Sequence, residues 1–240
     1  IPLAAYYNAP ILLVNQNNID TQTLNEISRL GAKNVVILGG TASVSEGISN
    51  TLKSKKLSVR RIAGENRYDT SAKIAEELIA KTGPSTAHLV NGEAFADAIS
   101  ISTVAGRYKQ PIVLTQSGSL HPEASKIANK VKDWRIIGGT NSVSSKTESQ
   151  LKSKVSHVSR ISGADRYEVN RNVLNNWGIQ SKKVYVGSGD AFADVLTGSA
   201  IAIKEGAGIL LTNNHDSNIQ KANDYAKNKG LNHFVVLGGT

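Results

Sequence analysis

Ile136-Ile137-Gly138-Gly139-Thr140 decides the fold, because the same word occurs three times. It stands earlier as Ile37-Leu38-Gly39-Gly40-Thr41 and later as Val236-Leu237-Gly238-Gly239-Thr240, at a spacing of about 100 residues. Other words keep the same order around it. Arg61-Ile62-Ala63-Gly64 with Arg67-Tyr68 returns as Arg160-Ile161-Ser162-Gly163 with Arg166-Tyr167. Ala94-Phe95-Ala96-Asp97 returns as Ala191-Phe192-Ala193-Asp194. Pro10-Ile11-Leu12-Leu13, Pro111-Ile112-Val113-Leu114 and Gly208-Ile209-Leu210-Leu211 complete the set. Solenoid repeats run to roughly 20–50 residues, so a unit of this length is a small domain in its own right.

The phase of the words divides the chain. Residues 1–60 read as the C-terminal half of a first repeat and 61–159 as a second; 160–240 read as a third, incomplete at its C-terminal end. Within the second unit, strand and helix signals alternate. His88-Leu89-Val90, Ile112-Val113-Leu114, Arg135-Ile136-Ile137 and 158–161 are short apolar strands. Phe95 to Arg107, Pro122 to Val131 and Ser142 to Lys154 carry helical spacing, the second opened by a first-turn proline. Val169, Val173 and Trp177 share a further helix face closed by Gly178, and Ser43 with Glu46 has the spacing of a capping box. Strands and helices in alternation, with near-continuous apolar strands, predict an α/β fold on parallel sheets.

Composition narrows the function classes. The chain has 240 residues, 40% hydrophobic and 20% charged, enough to build a core and to exclude disorder. No apolar run approaches a membrane span. Cysteine is absent, which removes disulfides, thiolate metal sites and cysteine nucleophiles. Methionine is absent too, so the chain is expected to begin inside a longer or processed precursor. The net charge of +9 suits an anionic partner. Three Phe and two Trp offer few stacking platforms, and the basic residues are spread, which argues against nucleic acid.

In parallel sheets, ligands sit beyond the carboxyl ends of strands, where Gly39, Gly40, Gly138 and Gly139 fall. Glycine there admits a ligand to the backbone, or simply makes a tight turn. Arg61, Arg67 and Tyr68 recur as Arg160, Arg166 and Tyr167, and an arginine fork suits phosphate or carboxylate. The alternative is internal pairing, Arg67 with Asp97 and Arg166 with Asp194. Those two aspartates begin a helix, where an acid complements the dipole. The five histidines show no common register and no metal-ligand spacing, so neither a metal nor a cofactor is expected. There is no Gly-x-Gly-x-x-Gly, no Walker lysine and no Gly-x-Ser-x-Gly, and nothing else is enzyme-like.

The ordered set Arg-Ile-x-Gly-x-x-Arg-Tyr, Phe-Ala-Asp-Ala/Val, Pro-Ile-Leu-Leu and Ile-Gly-Gly-Thr resembles the cell wall binding repeat 2 family of Gram-positive surface proteins, over nearly the whole chain. The resemblance implies tandem Toprim-like units packed about a pseudo-threefold axis. It implies an extracellular module, at the cell wall or surface layer, that anchors a secreted protein non-covalently through an anionic, teichoic-acid-like polymer. The family's Arg-Tyr motif falls on Arg67-Tyr68 and Arg166-Tyr167. Its Ile-Leu-Leu anchoring motif falls on Ile11-Leu12-Leu13, Ile112-Val113-Leu114 and Ile209-Leu210-Leu211, with Val113 and Gly208 as departures. Two other readings stay open at this point: an assembly module contacting other surface-layer proteins, and an enzyme acting on wall polymer.

Overall fold

The computed structural model describes residues 1–239; Thr240, which closes the third Gly-Gly-Thr word, lies outside them. The first unit holds α1 (Pro2–Tyr6), α2 (Thr21–Arg29), β1 (Asn34–Leu38), α3 (Glu46–Ser54) and β2 (Ser58–Ile62). The second opens with α4 (Arg67–Thr82), β3 (Thr86–Asn91), α5 (Phe95–Arg107) and β4 (Ile112–Thr115). It continues with α6 (Pro122–Ala128), β5 (Asp133–Ile137), α7 (Ser145–Lys152) and β6 (His157–Ile161). The third holds α8 (Arg166–Trp177), β7 (Lys183–Ser188), α9 (Ala193–Lys204), β8 (Gly208–Thr212), α10 (Asp216–Asn228) and β9 (His233–Val236).

Every strand pair is parallel, in three separate sheets ordered β1-β2, β4-β3-β5-β6 and β8-β7-β9. The expected α/β class and parallel sheets are what the structure shows. β3 pairs on both sides, and all but one of its residues are buried, as a central strand covered on both faces requires. The core of the middle unit gathers Ala75, Leu89, Val113, Ile127, Ile136 and Leu151 around Trp134. Trp134 is fully buried and donates its indole N–H to the Ala128 carbonyl at 3.0 Å.

The three units meet through equivalent helices. α1 corresponds to the last turn of α5, and α9 to the whole of it; all three touch one another. Phe95 begins α5 and Phe192 is the N-cap of α9, and their rings lie 5.8 Å apart. Eleven residues further along α5, Gly106 packs against Ile203 of α9 and Ala5 of α1. Gly106, Ala5 and Ile203 hold the same place in their repeats, so equivalent positions meet at both ends of the helices. The helices therefore run side by side in one direction about a pseudo-threefold axis. Ten consecutive-turn residues of α5 are buried, as a helix covered all round demands.

Several expectations need correction. Helix α3 starts at Glu46 with Ser45 as its N-cap, not in a Ser43–Glu46 capping box. Ser43 instead closes the turn after β1, its N–H donating to the Gly40 carbonyl at 2.9 Å. α7 likewise begins at Ser145, capped by Ser144, because the residues from Ser142 belong to the equivalent turn. His121 and His215 do correspond: both are N-caps, of α6 and α10, which follow equivalent strands. The connection before α10 is shorter, which breaks the register in sequence. The Ile-Leu-Leu words also differ in fate. Ile209, Leu210 and Leu211 are at most 1% exposed in β8, whereas Leu12 and Leu13 are 38% and 41% exposed and belong to no strand.

Two consequences are measurable. Gly106→Val inserts a branched side chain against Ile203 and costs about 1–3 kcal/mol. Paired with Ile203→Ala it should recover most of that loss, and chemical denaturation of the double-mutant cycle will show coupling of at least about 0.5 kcal/mol. His88 on β3 is fully buried, its Nε2 2.8 Å from the Gln110 Oε1. Burial lowers its pKa from 6.5 to about 4, with the Arg135 charge acting the same way and Gln110 opposing. Below pH 6.5 the unfolded chain takes up a proton that the folded chain refuses. Stability is therefore expected to fall between pH 6.5 and 4, by roughly 3 kcal/mol from this residue. His88→Gln should flatten that part of the stability–pH curve.

Candidate functional site

The repeated words converge at the carboxyl ends of the strands. After β5 the chain reaches Gly138 at φ +110, a conformation suited to glycine. A side chain there would also collide with the Asp97 carboxylate. Gly238 at φ +102 faces Asp194 in the same way. The Phe-Ala-Asp word and the Gly-Gly-Thr word are thus two halves of one contact. Asp97 is 6% exposed and accepts the Ser142 hydroxyl at 2.6 Å. Burial raises its pKa, while the Ser142 hydrogen bond and the Arg166 charge pull it back.

Arg61 and Arg160 brace the loop from the neighbouring strand. Arg160 donates through Nη1 to the Gly138 carbonyl at 2.8 Å and through Nη2 to Glu148 at 2.7 Å. Arg61 donates to the carbonyls of Gly39 and Val44, both at 2.8 Å, and lies 3.3 Å from Glu46. Their side chains are only 14% and 20% exposed, so their donors serve their own unit. Glu148 is held low in pKa by its hydrogen bonds to Lys152 and Arg160.

Arg67-Tyr68 and Arg166-Tyr167 secure the loop that leads into Phe-Ala-Asp. Arg67 donates to the Gly92 carbonyl at 2.9 Å and pairs with Glu93 at 3.1 Å; the Tyr68 hydroxyl donates to Glu93 at 3.3 Å. Arg166 donates to the Gly189 carbonyl at 2.7 Å and lies 3.6 Å from Asp190, which accepts the Tyr167 hydroxyl at 2.9 Å. Burial and Asp190 push the Tyr167 pKa up to about 12. The alternative pairs Arg67–Asp97 and Arg166–Asp194 are not formed. The aspartates turn away behind the Gly-Gly loops, and the arginines reach only the start of the Phe-Ala-Asp loop. The acids that do pair, Glu93 and Asp190, precede the motif.

One groove joins two units. Its volume is ≈ 480 Å³, between the start of α5, the loop at Gly139–Ser142 and the loop at Gly163–Arg166. Arg166 of the third unit stands over the Phe95 ring of the second at 5.7 Å and remains 43% exposed. Among the described residues its hydrogen bonds use Nη1 alone. α5 has Ala94 as its N-cap and no side-chain cap, which leaves the N–H groups of Phe95 and Ala96 without an intrahelical partner at the groove wall. The acids lining it are already engaged: Asp97 by Ser142, Glu93 by Arg67, and Asp165 by capping α8 at the Glu168 N–H, 2.7 Å away. The groove thus offers one arginine fork, backbone donors and an aromatic ring to an anionic ligand.

Of the predicted residues, Gly139 and Arg166 line this groove with Asp97, and Gly138 supports it from behind. Arg67 and Tyr68 lie at the corresponding place of the second unit, where the Tyr68 ring stacks on His121 at 4.3 Å. Gly39 and Gly40 form the equivalent turn in the first unit. Ile112, Val113 and Leu114 form β4, and with Ile209–Leu211 they build sheets. Sequence reasoning missed Ser142 and Phe95 as site members. Both were marked in the repeats, as Ser43 with Ser142 and Phe95 with Phe192.

The chain matches the family described as Cell wall binding domain 2 (CWB2) at residues 1–49, 61–148 and 160–240. It is 32% identical over its whole length to N-acetylmuramoyl-L-alanine amidase LytC of Bacillus subtilis, covering 47% of that protein. It is 35% identical to the amidase enhancer of the same organism, covering 32% of it. Among solved structures, Cwp6 from Clostridium difficile superposes with a TM-score of 0.87 at 30% identity, over 99% of this chain and 39% of Cwp6. Cwp8 of the same organism gives 0.87 at 31% identity, over 99% of this chain and 42% of Cwp8. The chain therefore spans less than half the length of these relatives. With three matched segments that together cover most of its length, the chain belongs to the cell wall binding domain 2 family.

Proposed function

We propose that this chain anchors a surface protein non-covalently to the Gram-positive cell wall by gripping an anionic secondary polymer of the teichoic-acid kind. Family membership supports wall binding. The groove between the second and third units supports the choice of an anion. There a half-exposed arginine and uncapped helix N–H groups face one another across a unit boundary. A polymer with phosphates at regular spacing would meet several such sites on one rigid body, and each further contact is intramolecular. The site holds no nucleophile activated by a base, and its acids are engaged in hydrogen bonds, so binding rather than turnover is the reading.

The test is co-sedimentation with Gram-positive walls, before and after the anionic polymer is removed. Binding is expected to vanish with the polymer. Arg166→Ala should weaken binding about ten- to a hundredfold, the worth of a charge-assisted hydrogen bond, while loss of its bond to the Gly189 carbonyl costs about 1 kcal/mol and leaves the protein folded. Arg160→Ala should do the converse, costing about 1–3 kcal/mol of stability by removing its hydrogen bonds to the Gly138 carbonyl and to Glu148. Wall binding that survives polymer removal, or that is untouched by Arg166→Ala in a folded protein, would overturn the assignment.

A further inference from the structure

Because α5 and α9 lie side by side in the same direction, the strands they return to also share a direction, and α1 places the first unit alike. The amino ends of all the strands therefore open on one end of the molecule, opposite the groove. That end is lined with lysine. Lys33 precedes β1 and Lys55 precedes β2; Lys132 precedes β5 and Lys154 precedes β6, in the register of the Gly-Gly-Thr words. All four are exposed. The first and second units also have a last-turn helix lysine, Lys53 and Lys152, and these pair with Glu46 and Glu148. Among the described residues, Lys33, Lys55, Lys132 and Lys154 have no such carboxylate partner.

Strand pairing places these lysines at one end of each sheet. β1 and β2 align Asn34 with Ser58, and the Ser58 N–H donates to the Lys33 carbonyl at 2.9 Å. β5 and β6 align Asp133 with His157. That register sets Leu57 opposite Lys33 and Ser156 opposite Lys132, so Lys55 and Lys154 stand two residues further out at the same end of their sheets. In the third unit Lys182 and Lys229 occupy the same end, before β7 and β9. Helix-dipole complementarity accounts for lysines in last turns. It does not account for Lys33 or Lys132, which lie beyond their helices on the strand side. At the opposite end the acids Glu93 and Asp190 are paired with Arg67 and Arg166, whereas Lys33, Lys55, Lys132 and Lys154 have no carboxylate partner among the described residues.

We propose that this lysine end is a second contact surface for the phosphate-bearing wall polymer, acting by neutralising charge and releasing counterions rather than by a shaped pocket. It rests on the anchoring reading above, and it divides the work: the groove grips, and the lysine end attracts. The test titrates the purified protein with wall polymer, and separately with inorganic polyphosphate, between about 50 and 200 mM salt. The variants are Lys33→Gln, Lys55→Gln, Lys132→Gln and Lys154→Gln combined, the same four changed to Arg, and Arg166→Ala.

The four-glutamine variant is expected to bind both polyanions about tenfold or more weakly at the low-salt end and to flatten the log–log salt slope by about 2–4. The arginine variant should keep the slope. Arg166→Ala should weaken wall-polymer binding while changing the slope by no more than about 1. If the glutamine variant matches the parent in affinity and slope for both polymers, the lysine surface is refuted and any wall-polymer binding leaves the anchoring reading standing. If the parent binds polyphosphate through the lysines and ignores wall polymer, the cationic surface stands as a polyphosphate contact while its wall role and the anchoring reading fall. If it binds neither, both fall.

Discussion

Close parallel contact between equivalent helices is what the rest of the molecule depends on. The approach of α5 to α9 needs a residue without a side chain at Gly106, because Ile203 fills the space there and Ala5 closes the third side. Three small or large residues at one repeat position thus share a single volume, and the units are not interchangeable about the axis. The same approach brings Phe95 to Phe192 at the other end of the helices. Once those helices are parallel, the direction of every sheet follows, and so does the placement of the strand ends.

At the carboxyl ends three of the four repeated words form one device. Arg61 and Arg160 hold the Gly-Gly turn, the aspartate of Phe-Ala-Asp fills the space behind that turn, and Arg-Tyr fastens the loop before the aspartate. Most of this is internal wiring. What reaches across a unit boundary is smaller: Arg166 over Phe95 and towards Asp97. Repetition therefore marks the scaffold strongly, and the ligand-facing donors are those few members of the scaffold that remain half exposed.

The fold was legible because strand and helix signals alternated around words that kept their order. The strands at Leu89, Val113 and Ile136 and the span of α5 could be read directly from apolar spacing. The partners of the arginines could not. Glu46 and Glu148 serve Arg61 and Arg160 from places one helical turn out of register, so a search by period passes over them. Glu93 and Asp190 were visible near the motif, but only the folded loop shows that they, and not Asp97 and Asp194, face Arg67 and Arg166. His121 and His215 were hidden by a connection of unequal length: one lies six residues after Thr115, the other three after Thr212. The groove itself arises from tertiary packing between two units, and no local pattern announces it.

The aspartate behind the Gly-Gly turn has a consequence for how such repeats can drift apart. The carboxylate of Asp97 occupies the space that a β-carbon at Gly138 would need, and Asp194 stands in the same relation to Gly238. Neither partner can change alone: a side chain at the glycine meets the acid, and loss of the acid leaves a buried hollow beside Ser142. Two words about forty residues apart are therefore inherited as one character. Duplicated units can exchange most of their surface and even their helix-capping residues, as Asp20, His121 and His215 have done at one cap, while this pair stays fixed.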